Sequence, residues 1–123
     1  MSKSISGDDI CSETEIDKYL EKHLSCWANE GSSICRSYKT SGWQSTLMVV
    51  NAVAYLAETG WHHPDLEVTY DSVTVRFTNH DAGGVTKKDL EMATRVDQLL
   101  SWTPGGDHDS VLVEPPNNII INR

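Results

Sequence analysis

Residues 42–60, Gly-Trp-Gln-Ser-Thr-Leu-Met-Val-Val-Asn-Ala-Val-Ala-Tyr-Leu-Ala-Glu-Thr-Gly, decide how the chain is read. Trp43, Leu47, Val50, Ala54 and Ala57 step by four, three, four and three, a single apolar stripe that predicts a helix from about Gly42 to Thr59. Val49, Val53 and Leu56 widen the stripe, as expected for a helix lying flat on a sheet, and Gly60 is the expected stop. Beyond it the period changes. Val73, Val75 and Phe77 alternate with Thr74 and Arg76, so residues 67–70 and 72–78 predict two strands joined near Asp71.

The same grammar extends in both directions. Upstream, residues 26–30 and 33–39 flank Gly31-Ser32 and predict a hairpin, with Ile34, Arg36 and Tyr38 on one face and Cys35 and Ser37 on the other. Before the hairpin, Ile16, Leu20 and Leu24 recur every fourth residue in a helix starting near Ser12, with Glu13, Glu15 and Asp17 at the positive end of its dipole. Downstream, Asp81-Ala82-Gly83-Gly84 is a loop, and Thr86 caps a third helix ending near Trp102, with Leu90, Ala93, Val96 and Leu100 facing inward. Helix, two strands, helix, two strands, helix is an α+β order. It implies a four-stranded antiparallel sheet with the helices packed on one face. Residues 1–11 read as a flexible acidic arm, 12–104 as the domain and 105–123 as an extension. In that extension Ile119-Ile120-Ile121 suits a sheet edge, so the tail is expected to pack along its own domain or a neighbouring subunit.

A chain of 123 residues makes one domain. Eighteen acidic residues against ten basic ones leave a formal charge of −8, a field that opposes phosphate backbones and anionic lipid. Neither a nucleic-acid nor a membrane partner is expected. The longest apolar run, Leu47-Met48-Val49-Val50, is far too short to span a bilayer, and the N-terminus has no apolar signal region, so a cytoplasmic address is expected. Cys11, Cys26 and Cys35 are odd in number and contain no C-x-x-C pair, which argues against a disulfide framework or a structural zinc site.

The chemistry gathers around the end of the second helix. His62 and His63 follow it directly, Pro64 fixes the chain direction behind them, His80 ends a predicted strand and Asp89 opens the third helix. Imidazoles titrate near neutrality, so two of them facing one substrate can give and take a proton. A carboxylate such as Asp89 or Glu58 can fix a histidine's tautomer. Other readings compete. Histidines complement a helix C-terminus electrostatically. Glu58 and His62, four apart, could share a zinc ion, although adjacent histidines before a proline make awkward ligands. His23 and His108 read as solvated. Trp43 and Trp61 read as core, with Trp61 also placed to wall a pocket.

Glu58-Thr59-Gly60-Trp61-His62-His63-Pro64-Asp65-Leu66, followed by Tyr70, His80 and Asp89, resembles the pterin-4a-carbinolamine dehydratase family. The flanking segments Val50-Asn51-Ala52-Val53-Ala54 and His80-Asp81-Ala82-Gly83-Gly84-Val85-Thr86 carry the resemblance over about residues 33–102. It implies dehydration of a 4a-hydroxytetrahydropterin to the quinonoid dihydropterin, recycling the cofactor of aromatic amino acid hydroxylases. Neither metal nor resident cofactor is implied. Carried onto matching positions, His62 and His80 are the expected acid/base pair and His63 the pterin-positioning residue. Glu58, Trp61, Asn79 and Asp89 are the expected substrate-binding or orienting residues. A homo-oligomer is implied, with an aromatic amino acid hydroxylase as a candidate partner. The family also includes a transcription-factor dimerisation cofactor and Rubisco assembly factors, so a binding protein on the same scaffold is the rival expectation. Trp61 stands where the family often has an acid, Leu66 where it often has tryptophan, and Asn79 where threonine is common.

Overall fold

The structure is a computed structural model in which residues 8–123 are described. Helix α1 (Glu13–His23) begins where Ser12 Oγ accepts from the Glu15 amide while the Glu15 carboxylate accepts from the Ser12 amide, which satisfies two otherwise orphaned donors. Strands β1 (Ala28–Asn29) and β2 (Ile34–Lys39) follow, then α2 (Trp43–Gly60), β3 (Asp65–Thr69), β4 (Ser72–Phe77) and α3 (Lys87–Ser101). The strands form one antiparallel sheet in the order β1-β2-β4-β3, with Arg36 opposite Val75 and Leu66 opposite Val75 on its other side. Ile34, Tyr38, Val73, Val75 and Phe77 are buried beneath the helices, while their alternates Ser37 and Thr74 lie on the more open face. The expected α+β architecture is the observed one. No helix among the described residues is long and apolar enough to cross a membrane.

Three details differ from the sequence reading. The buried stripe of α2 is Thr46, Val49, Val53 and Ala57, while Trp43, Leu47 and Ala54 are exposed. The helix is apolar around most of its circumference, so periodicity alone does not select its inner side. Thr46 does: its buried hydroxyl pairs with Thr40 Oγ1 at 2.7 Å and donates to the Tyr70 carbonyl at 2.9 Å. Trp43 and Trp61 are therefore surface residues and not core. Strand β1 is only two residues long, and β3 starts at Asp65, not at Glu67. Finally, Ile10 bridges Thr86 and the Cys11 amide donates to the Val85 carbonyl at 2.8 Å, so the end of the expected arm belongs to the domain. The expectation for residues 1–7 lies outside the described residues.

Burial pushes the Cys11 and Cys35 thiols above their ordinary range, which suits packed, unreactive sulfurs.

The tail returns to the sheet. After a short 3-10 turn at Pro104–Gly106 it crosses over α2 and α3, roofing a cleft of about 530 Å³ floored by Met48, Leu99 and Trp102. It then pairs with the edge of β2 that short β1 leaves free. Ile120 bridges Thr40, and the Ile121 amide donates to the Lys39 carbonyl at 2.7 Å. The Asn122 side chain accepts from the Lys39 amide and donates to the Ser37 carbonyl, copying a ladder rung. Arg36 Nη2 donates to the Asn122 carbonyl at 2.7 Å, so a buried guanidinium depends on the tail. Deleting residues 110–123 uncovers Ile120 and removes that acceptor. We expect the melting temperature to fall by roughly 10 °C in calorimetry, and an unchanged value would show that the tail contributes nothing.

Candidate active site

The end of α2, the start of β3, the end of β4 and the start of α3 meet at one rim of the sheet, and the histidines sit there. The helix ends because the amides of Trp61 and His62 both turn back to the Ala57 carbonyl, which sends the chain out of the helix at the histidine pair. His62 points inward. Its ring lies parallel to Phe77 (9° between planes, 6.1 Å between centroids), and its Nε2 is 2.5 Å from Asp89 Oδ1. Asp89 is fully buried, and its second oxygen accepts from both the amide and the hydroxyl of Thr86 at 2.8 and 3.0 Å. All the groups around this carboxylate are donors, so His62 donates from Nε2 and, when neutral, presents Nδ1 as its basic nitrogen.

His63 turns outward. Its Nε2 lies 2.9 Å from Glu58 Oε1, and its ring meets the Trp61 indole at 82°, with centroids 5.1 Å apart. His80 is largely exposed and sits 4.0 Å from Asp65 Oδ2, two residues beyond His63. It rides on a loop closed by Asn79, whose amide donates to the Gly84 carbonyl and whose side-chain oxygen accepts from the Ala82 amide. Gly83 in that loop has φ +82°, a conformation glycine adopts without strain. The Asn79 side-chain Nδ2 also donates to Asp8 Oδ1 at 3.5 Å.

The structure thus brings together His62, His63, His80, Glu58, Trp61, Asn79 and Asp89. It does not bring Tyr70, which lies in the β3–β4 turn at the opposite end of the strands, beside Gly42. Glu58 and His62, the candidate zinc pair, face different partners, and the described residues hold no group of three or more His, Cys, Asp or Glu disposed to bind a metal. Clefts of about 500 to 550 Å³ occur elsewhere on the surface, under the tail, between α1 and α3, and at the start of α2, and no histidine lines them. The histidine rim is the open side of the molecule's chemistry. Sequence reasoning missed two supports: Phe77 beneath His62, and the Thr86 hydroxyl on Asp89. The second was legible, since Thr-x-x-Asp at a helix start is a capping-box spacing.

A profile of the family described as pterin 4 alpha carbinolamine dehydratase matches residues 9–99, from just before α1 nearly to the end of α3. The chain belongs to this family. A protein from Aquifex aeolicus that carries the family's name by inference is 44% identical over 89 residues, covering 72% of this chain and 89% of its own length. One from Roseiflexus sp., named in the same way, is 37% identical over 89 residues, covering 72% of this chain and 95% of its own. Among solved structures, the transcriptional coactivator/pterin dehydratase from Brucella melitensis superimposes with a TM-score of 0.68 at 27% identity. That match covers 74% of this chain and 98% of the other. The family match ends before the tail, so the strand-edge partners Ile120, Ile121 and Asn122 lie outside it.

Asp89 is a buried charge held by three donors. Replacing it with asparagine puts an amide where a carboxylate oxygen accepted, which leaves a buried donor facing a donor. We expect Asp89→Asn to lose about 2–4 kcal/mol of stability in denaturant unfolding. A midpoint equal to the parent's would contradict the network.

Proposed function

We propose that the chain dehydrates a 4a-hydroxytetrahydropterin to the quinonoid dihydropterin and water. The observation that carries the reading is His62, held by a fully buried Asp89 at the rim it shares with His63 and His80. In the reaction the nitrogen N5 loses its proton to a base, its electrons form the C4a=N5 double bond, and the C4a–oxygen bond breaks as an acid protonates the departing hydroxyl. No electrons are gained or lost, so one acid and one base suffice. His62 and His80 form that pair. Asp89 accepts from His62 Nε2 and keeps the ring's orientation and tautomer fixed. Glu58 holds the outward His63, which positions the pterin, and Asn79 shapes the loop that presents His80. The reading extends to pterin recycling for aromatic amino acid hydroxylases in the cytoplasm. It also includes self-association, which the exposed Trp43, Leu47, Met48 and Tyr55 on α2 favour.

The rival, a purely binding protein, draws support from the coactivator half of the Brucella protein's description. Asp89 would cap α3 in either case, but binding alone gives no reason for its second oxygen to hold His62 at a rim shared with two further histidines, which favours the enzyme reading.

His62→Ala and His80→Ala should each reduce dehydration by about 10²-fold or more, the scale for losing a positioned acid or base. Near-native turnover in both folded variants would remove them from the mechanism. Because only protons move, turnover should survive exhaustive chelation. Activity lost with EDTA and restored by stoichiometric zinc would contradict this.

A further inference from the structure

Among the described residues, Trp61 is the only non-glycine with positive φ: its φ is 52° and its ψ 45°, the left-handed region that a bulky L-residue adopts at a cost in conformational energy. Helices commonly close on glycine at this position. This chain has its glycine one residue early. At Gly60 an added Cβ would lie 2.7 Å from Met92 Sδ, near the end of a flexible side chain of α3, and the left-handed step falls one residue later, on a tryptophan.

Burial does not compensate for the strain. Trp61 is 73% exposed, and its ring partner among the described residues is His63. The backbone therefore holds an uncovered indole at the open rim that His62, His63 and His80 share. A flat ring bound at that rim needs support for its face as well as polar partners at its edges. Strained conformations persist where the surrounding structure enforces them, and they cluster at binding sites. An aromatic surface beside an imidazole is the chemistry that holds a planar heterocycle.

We infer that Trp61 is a stacking platform that supports one face of a pterin ring and sets the site's affinity for it. The inference rests on the dehydratase reading and names the specificity residue within it.

The test compares Trp61→Gly and Trp61→Phe with the parent, using 7,8-dihydrobiopterin as a flat, unreactive probe followed by quenching of tryptophan emission and by calorimetry. Glycine relieves the left-handed strain. That variant should melt at the parent's temperature or a few degrees above it, yet bind the probe about tenfold more weakly, with KM raised and kcat nearly kept. Phenylalanine keeps a flat face and the strain, so it should bind within about threefold of the parent and melt no higher. If the glycine variant binds as tightly as the parent, the platform is overturned while the dehydratase reading stands. If the glycine variant melts several degrees lower, the indole is structural support and the inference fails. If the parent neither binds dihydrobiopterin nor dehydrates a carbinolamine, both readings fall together.

Discussion

The carboxylate of Asp89 is the constraint on which the rest of this site depends. A charge that has lost all contact with water is tolerated only when its oxygens are occupied by donors. Here the donors come from two places, the Thr86 amide and hydroxyl at the start of α3 and the His62 ring at the end of α2. The same group therefore caps a helix and orients a histidine. Moving either helix end would leave a buried charge short of a partner. The favourable field at the N-terminus of α3 further steadies the negative charge. His62 inherits its geometry from that requirement, with the Phe77 ring packed parallel to it.

Two turns further along, α3 repeats the device for a structural purpose. Asp97 Oδ1 accepts from Arg36, from the Tyr38 hydroxyl at 2.8 Å and from the Trp27 indole at 3.2 Å, tying β2 and the segment before β1 to the helix. Burial and the neighbouring Asp97 carboxylate push the Tyr38 hydroxyl well above the ordinary tyrosine range, so it remains a donor. Arg36 stacks over the Tyr38 ring, and its other arm reaches the tail carbonyl of Asn122. One helix thus carries both anchors: Asp89 fixes the histidine rim, and Asp97 fixes the sheet and, through Arg36, the tail that covers its edge.

Much of this was legible because it follows from period and spacing. The alternation of Val73, Val75 and Phe77 identified a half-buried strand, the Thr86 cap located α3, and the His-His-Pro run with His80 and Asp89 located the rim. The illegible parts were decided by tertiary contacts. The rotation of α2 hangs on a buried Thr46 hydroxyl that meets Thr40 and the Tyr70 carbonyl, and no apolar pattern encodes that. Gly60 read as a helix stop, and it is the last residue of α2, but the left-handed cap falls on Trp61. The edge of β2 that short β1 leaves free is taken by a tail some eighty residues downstream, as in the bridge from Thr40 to Ile120, and no local pattern encodes that pairing. Glu58 and Asp89 were both candidate partners for a histidine. Which carboxylate serves which imidazole depends on how the chain leaves α2.

The central claim is that this rim performs proton transfer on a pterin carbinolamine. The most direct measurement is stopped-flow decay of chemically generated 4a-hydroxytetrahydropterin with and without the purified chain, free of any hydroxylase. Quinonoid dihydropterin should appear faster in proportion to protein concentration, with a rate that saturates with substrate. A decay rate indistinguishable from the spontaneous one, at protein concentrations where the chain is folded, would contradict it.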